Sequence, residues 1–192
     1  MRLLNHIRDK FPLTESEASS IAEIVTIREL KKKEMLIQPG NVSNCMNFIS
    51  IGCLRAYYVD ADGQEHTLQL GIENWWINDL YGYMKEQPSK MYLQSLENSV
   101  LVRIPKNELD SLYIKIPALS NFFREKIQGA YVTLQERTIE SMTSDSFERY
   151  VHFRQQYRDI EQRVPQYIVA SYLGITPEFL SHLRKKHAKD LS

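Results

Sequence analysis

Between Gln166 and Leu183, small and apolar residues follow the spacing of two short helices that cross over a tight turn. Such helices touch at fixed places, which requires a small residue at the closest approach and favours glycine at the turn. With Gln166 as position one, these places hold Ala170 and Gly174. The five positions that must be buried hold Val169, Leu173, Ile175, Leu180 and Leu183. A random segment would meet all seven constraints roughly once in several thousand windows, so the pattern predicts a helix-turn-helix.

The residues after the turn mark the start of the second helix and its outward face. Thr176 suits the N-cap, and Pro177 suits the first helical position, where its missing N–H costs nothing. With the buried positions assigned, the outward residues are Thr176, Pro177, Glu178, Ser181, His182 and Lys185, flanked by Arg184 and Lys186. These side chains would face the major groove of double-stranded DNA. The alternative is a solvated helix end, where lysine and arginine are favoured in any case.

The chemistry of this face suggests a division of roles. Glu178 can accept a hydrogen bond from a cytosine amino group, and Ser181 and His182 can donate to or accept from base edges. Arg184, Lys185 and Lys186 are better suited to phosphates, which provides affinity rather than sequence choice.

Charge gives weaker support for a nucleic-acid partner. The 192-residue chain has 24 basic and 24 acidic residues, so it is neutral overall. From Arg149 onward, eight lysines and arginines stand against four acids, a net charge of +4. Asymmetry of this kind points towards nucleic acid.

Several classes of protein are not expected. No apolar run approaches the roughly 20 residues needed to cross a bilayer, and the charged N-terminus with its proline does not have the pattern of a signal peptide. We therefore expect a cytoplasmic protein without membrane contact. Cys45 and Cys53 have no partners at metal spacing, so no metal is expected. No nucleophile with an adjacent base stands out, so we expect no catalytic residues.

The rest of the chain divides into a β-rich and a helical part. From Glu29 to Pro105, short β-branched and aromatic runs separated by turn residues predict antiparallel strands, with a hairpin at Asp62-Gly63. Thr14 and Glu17 predict a capping box in front of this part. The expected class is α+β, with three parts: residues 1–116 a sensor β-roll with N-terminal helices, 117–142 a long connecting helix, and 143–192 the helix-turn-helix domain.

The long helix has an apolar stripe. Its residues recur every three or four positions, and those predicted to join two copies of the chain are Phe123, Ile127, Ala130 and Leu134. A helix of roughly 40 Å is long for one that serves only a local core. We therefore favour a dimer seam over simple packing on the β-roll.

A small β-roll, a long helix and a helix-turn-helix in this order resemble the Crp/Fnr superfamily of bacterial transcription regulators. In the first half the resemblance lies in Gly40, Phe48-Ile49, Gly52 and Gly63 within MLIQPGNVSNCMNFISIGCLRAYYVDADGQE. In the second half it lies in VPQYIVASYLGITPEFLSHLRKK, which is similar to the family's DNA-reading unit. The resemblance implies a homodimer on a roughly palindromic DNA site, with RNA polymerase as a further candidate partner.

The ligand cassette departs from the family pattern. Members that bind cyclic nucleotides have a Gly-Glu pair and a later Arg-Ser; here the glutamate falls at Asn78 or Asp79, and the arginine at Ser89 beside Lys90. A lysine replaces a bidentate arginine only in part, so tight cyclic AMP binding is not expected, and any effector is unknown. Candidates for lining a different pocket are Asn78, Asp79, Leu80, Tyr81, Ser89, Lys90 and Tyr92. Its apolar part could be formed by Trp75 and Trp76 together with Tyr81 and Tyr92. The alternative is a packed aromatic cluster without a ligand.

Other cofactors of the family do not suit this sequence. An iron–sulfur cluster needs four cysteines, and His66 alone in the β region does not indicate haem. Only about five residues follow His187, so no complete wing is expected after the recognition helix, which predicts weaker or more dimer-dependent DNA binding. The prediction is thus a dimeric, sequence-specific DNA-binding regulator, and the alternative is a ligand-binding or protein-interaction module whose helical tail does not bind DNA.

Overall fold

A computed structural model describes residues 1–187 of the chain. Within them, the strands are β1 (Thr26–Leu30), β2 (Met35–Ile37), β3 (Cys45–Ile51), β4 (Leu54–Val59), β5 (Glu65–Gly71), β6 (Tyr92–Ser95) and β7 (Ser99–Pro105). The helices are α1 (Arg2–Arg8), α2 (Glu15–Ile24), α3 (Leu80–Lys85), α4 (Lys106–Lys115), α5 (Pro117–Thr143), α6 (Ser146–Gln156), α7 (Arg158–Arg163), α8 (Gln166–Leu173) and α9 (Pro177–Lys186). The prediction of no complete wing concerns residues 188–192, which lie outside this range.

The strands form two antiparallel sheets, as the alternation of β-branched runs and turn residues predicts. One sheet has the order β1-β7-β3 and the other the order β2-β6-β4-β5. Apolar side chains such as Ile49, Leu54, Leu93 and Leu101 are fully buried and pack together in one cluster. The predicted hairpin joins β4 to β5, where Gly63 has a φ of +81°.

The turn between β3 and β4 requires glycine for two separate reasons. Gly52 has a φ of +109°, a region that residues with a Cβ atom rarely adopt. A Cβ atom at this position would also lie 2.0 Å from Ser99 Oγ and 2.8 Å from Ser99 Cα. The end of β3 can therefore approach the start of the neighbouring strand β7 this closely only because residue 52 lacks a side chain.

The N-terminal helices close one side of the roll. The capping box predicted for α2 is present: Thr14 Oγ1 accepts from Glu17 N at 3.2 Å, and Glu17 Oε2 accepts from Thr14 N at 2.8 Å. Leu3, Ile7 and Phe122 are fully buried in a shared cluster with strand residues. The first turns of α5 are therefore part of the core of the N-terminal domain.

The C-terminal helices pack directly on the roll. Asp145 caps α6 by accepting from the backbone N–H groups of Phe147 and Glu148. The buried cluster of α6 to α9 includes Tyr150 and Phe153, and it also takes in Cys53 and Leu70 from the strands. The two halves of the chain thus share apolar surface in addition to being joined by α5.

Candidate DNA-binding surface and its connection to the roll

The helix-turn-helix predicted from spacing is formed by α8 and α9. Ala170 is fully buried, and Gly174 ends α8 with a left-handed φ of +69°. Val169 and Leu180 are fully buried, and Leu183 is 7% exposed. The remaining two positions, Leu173 and Ile175, are partly buried against the same cluster. The structure therefore places six of the seven positions in packed surroundings and the seventh, Gly174, at the turn.

The start of α9 is fixed as predicted. Thr176 Oγ1 accepts from Phe179 N at 3.2 Å, and Pro177 occupies the first turn. This bond satisfies one of the backbone N–H groups that have no partner inside the helix. Glu178 lies in the first turn, where a carboxylate interacts favourably with the helix dipole.

The face of α9 opposite its buried leucines is open to solvent. All eight residues predicted to meet DNA are exposed: Thr176, Pro177, Glu178, Ser181, His182, Arg184, Lys185 and Lys186. Lys185 and Lys186 take part in none of the ion pairs found within residues 1–187. Their charges are therefore available to phosphates. Contact of these eight residues with DNA remains a prediction.

The sequence prediction overlooked one exposed residue of this helix, Phe179. Its side chain is 45% exposed. It lies next to the buried Leu180, and a phenylalanine beside a buried position is easily taken for part of the core. Its exposure was not apparent from the spacing alone.

The cassette residues predicted to line a ligand pocket are held by the protein itself. Asn78 Oδ1 accepts from Asn47 N at 2.9 Å and from Asn47 Nδ2 at 3.0 Å. Asp79 Oδ1 caps α3 by accepting from Gly82 N at 3.0 Å. Ser89 Oγ donates to Met91 O at 3.1 Å and accepts from Met91 N at 3.0 Å. Most of these polar atoms already have partners in the folded chain, but Asp79 Oδ2 is buried and has no hydrogen-bond partner among residues 1–187.

The other cassette candidates do not converge. Leu80 packs against the N-terminal core, while Tyr81 and Lys90 are exposed. Tyr92 stacks on Tyr57 with ring centroids 5.0 Å apart. None of the seven candidates lines either of two cavities found within residues 1–187. The set remains a prediction of a ligand site that these contacts do not strengthen.

The larger cavity lies instead between the roll, α5 and the C-terminal helices. Its volume is about 720 Å³, within the range of small-molecule sites. Its walls include Trp75 and Trp76 from the roll, Ala130 and Arg137 from α5, and Tyr157 from the segment between α6 and α7. The two tryptophans therefore line an apolar pocket as proposed from the sequence, but Tyr81 and Tyr92 do not.

An ion-pair clasp joins α7 to the roll. Arg163 donates from Nη1 to Glu73 Oε2 at 2.7 Å and from Nη2 to Glu73 Oε1 at 3.0 Å, and it also pairs with Glu97. Glu73 Oε1 accepts from Gly52 N at 2.7 Å as well. The hydrogen bonds from Arg163 lower the pKa of Glu73 to about 2. The clasp therefore stays charged at neutral pH.

Arg137 makes a second connection, from the inner face of α5. It donates to Leu68 O at 2.7 Å and to Thr67 O at 3.0 Å, and also to Tyr172 O. Its guanidinium lies 3.8 Å from the ring centroid of Tyr172. Burial lowers the pKa of Arg137 from its usual value. One side chain thus contacts a strand of the roll and the first helix of the helix-turn-helix.

Ser171 adds a third connection between these two elements. Its Oγ donates to Glu65 O at 2.7 Å and accepts from Thr67 N at 2.9 Å. Helix α8 is therefore fixed along β5.

The predicted dimer stripe requires one correction. Phe123 is only 2% exposed and packs against Trp76 and Phe122 in the core of the N-terminal domain, so it is not available to a second chain. Ile127, at 40%, and Leu134, at 59%, are exposed, as is Ala130. Further along α5, Tyr131 and Met142 are also exposed large apolar residues.

Two further searches of the described part of the chain bear on other functions. In residues 1–187, no helix is both long enough and apolar enough to cross a membrane. The same residues contain no group of three or more histidine, cysteine or acidic side chains placed to hold a metal ion.

Known proteins share both the sequence and the architecture of this chain. Residues 27–115 match the family described as the cyclic nucleotide-binding domain. The anaerobic regulatory protein of Haemophilus influenzae is 22% identical over 193 residues, covering 93% of this chain and 74% of that protein. FixK2 from Bradyrhizobium japonicum superposes with a TM-score of 0.73 at 12% identity, covering 87% of this chain and 86% of that one. This last likeness concerns the fold alone.

A two-sheet roll followed by a long helix and an exposed recognition helix defines the class of regulators that connect a sensor domain to a DNA-binding unit. The chain is similar to a regulatory protein over 93% of its length, and its residues 27–115 match the cyclic nucleotide-binding domain.

Proposed function

We propose that this chain acts as a homodimeric, sequence-specific transcription regulator in the cytoplasm, with α9 of each copy in the major groove. The observation that carries the proposal is the exposed polar and basic face of α9, supported on its other side by Leu180 and Leu183. A regulator of this class is not an enzyme. RNA polymerase is a candidate partner, because such regulators act at promoters.

Selection of bound fragments from the source genome, followed by fluorescence anisotropy on the enriched sequence, tests this proposal. We expect a roughly palindromic site whose half-sites are about one helical turn apart. Lack of enrichment over an unrelated DNA would contradict the proposal and favour a protein partner for α9.

An exposed stripe on α5 supports the dimer. Ile127, Tyr131 and Leu134 are solvent-exposed apolar residues on one side of the helix. We expect Leu134→Glu to weaken dimerisation by at least about 100-fold, because the symmetric interface would bring two carboxylates out of water without partners. Sedimentation equilibrium measures the dimer dissociation constant.

Val132→Glu is the matched control for this prediction. Val132 is 50% exposed and lies about 160° around the helix from Leu134. Its variant should dimerise like the parent chain. Equal dissociation constants for the two variants would place the seam elsewhere.

We also propose that any effector is not cyclic AMP. Ser89 stands where the family has its phosphate-binding arginine and is hydrogen-bonded to Met91, and Lys90 is exposed. The cavity between the roll, α5 and the C-terminal helices is the alternative effector site that the packing supports, because a ligand there would touch all three parts. An effector bound there would act through different affinities for two arrangements of the recognition helices.

Thermal unfolding with and without cyclic AMP tests this expectation. A ligand at 100 times its dissociation constant stabilises a protein by about 2.7 kcal/mol, so tight binding would be easily detected. We expect the midpoint to stay unchanged with cyclic AMP and to rise with the selected DNA, which serves as the positive control. A rise with cyclic AMP would contradict the interpretation of Ser89.

A further inference from the structure

Phe179 lies at the edge between the buried and the open face of α9, about 40° around the helix from Leu183. Its side chain is 45% exposed. It belongs to none of the apolar clusters found within residues 1–187 and makes no ring contact with another aromatic residue there. Leu180 and Leu183 supply the buried contacts of this helix instead. The fold therefore leaves this ring unused.

The position of Phe179 brings it close to the predicted base-reading residues. Its backbone N–H donates to Thr176 Oγ1 at 3.2 Å, which fixes it in the first turn of α9. At 100° per residue, Phe179 lies about 60° around the helix from His182. The N-terminal residues of a recognition helix are those that contact base edges. Phe179 thus borders the face of Glu178 and His182 at the end of α9 that enters the groove.

The chemistry of the ring limits what it can recognise. Phenylalanine has no hydrogen-bonding group, so it cannot pair with the polar base edges or hold a phosphate. The only apolar group that base pairs present in the major groove is the C5-methyl of thymine, and apolar side chains contact it. Phe179 is also the only large apolar side chain exposed on α9, which the structure describes in full.

We propose that Phe179 is a specificity-determining residue that selects thymine at one position of each DNA half-site by packing its ring against the C5-methyl group. This assignment rests on the proposed DNA-binding function and adds a base preference to it. The polar residues of α9 read hydrogen-bonding patterns, whereas Phe179 reads the presence of a methyl group. A cytosine at the same position lacks that methyl group and is disfavoured.

Exchange of thymine for uracil tests the proposal, because it removes the methyl group and leaves base pairing unchanged. On the selected site, each thymine is replaced in turn and the dissociation constant is measured by anisotropy. At one position per half-site, uracil should raise the dissociation constant about fourfold, which corresponds to the loss of one buried methyl group. Uracil at that position in both half-sites should raise it about 16-fold. With Phe179→Ala, the penalty at that position should disappear.

Two further variants separate base reading from structural damage. Phe179→Leu retains an apolar side chain and should keep part of the uracil penalty. Tyr167→Ala removes another exposed aromatic, 50% exposed on α8, and should leave the penalty intact. Thermal unfolding of Phe179→Ala should match the parent chain, since the ring belongs to no core cluster.

The results distinguish failure of the Phe179 assignment from failure of the proposed DNA-binding function. If the parent chain binds its site but no uracil lowers its affinity, or if the penalty persists in Phe179→Ala, the assignment of Phe179 is overturned while the DNA-binding function stands. If no DNA is enriched at all, the assignment fails together with the proposed function.

Discussion

Replacing Arg184, Lys185 and Lys186 together with alanine is expected to weaken DNA binding roughly 100- to 1,000-fold at low salt. A dimer would place six of these cations near phosphates, and each phosphate contact adds about 0.9 to the slope of log affinity against log salt concentration. The slope should therefore fall by about 5. Anisotropy titrations at several salt concentrations measure both quantities.

A control of equal charge distinguishes contact from general attraction. Lys31, Lys32 and Lys115 are exposed residues of the N-terminal domain, and their joint replacement with alanine removes the same three charges. This variant should keep nearly the parent salt slope. Equal losses in the two triple variants would mean that net charge, rather than α9, governs the affinity.

Gly52→Ala is expected to lower the free energy of unfolding by more than about 3 kcal/mol, because it combines a left-handed backbone with overpacking. The new methyl group would lie 2.8 Å from the Cα atom of Ser99, so the backbone itself would have to move. Urea unfolding followed by tryptophan fluorescence measures the change.

Gly63→Ala provides the comparison within the same chain. Gly63 also has a positive φ, +81°, but nothing lies within 4 Å of the position where a Cβ atom would stand. Gly63→Ala should therefore lower the free energy of unfolding only by the backbone strain, about 1–2 kcal/mol. If the two variants lose similar amounts of unfolding free energy, the contact with Ser99 does not contribute to the destabilisation of Gly52→Ala.

The parts of the fold that the sequence predicts are those fixed by short-range rules. The helix-turn-helix depends on contacts between residues of one segment of about twenty residues, such as the buried packing of Ala170. Because these contacts are local, residue spacing alone is enough to locate the motif. The capping box of Thr14 and the hairpin at Gly63 are equally local. Helices α3 and α4 are not anticipated, because six and ten residues with little apolar periodicity give no clear signal.

The parts that the sequence does not predict depend on distant partners. Arg163 and Glu73 are 90 positions apart, and nothing in either segment identifies the other. The stripe on α5 contains apolar residues for two purposes, so periodicity cannot distinguish Phe123, which packs in its own chain, from Leu134, which is exposed. The exposed position of Phe179 is likewise not given by the spacing, which assigns Leu180 and Leu183 to the core and leaves residue 179 unassigned.

The way in which Arg137 joins the roll to the DNA-binding helices has an evolutionary consequence. All three of its hydrogen-bond acceptors are main-chain oxygens, at Thr67, Leu68 and Tyr172. A carbonyl group is present whatever side chain a residue carries, so replacing Leu68 leaves its acceptor in place. The connection thus tolerates sequence drift on the acceptor side while depending on a single arginine. Loss of Arg137 would therefore remove all three hydrogen bonds in one step, whereas a side-chain replacement at Thr67, Leu68 or Tyr172 leaves each acceptor in place.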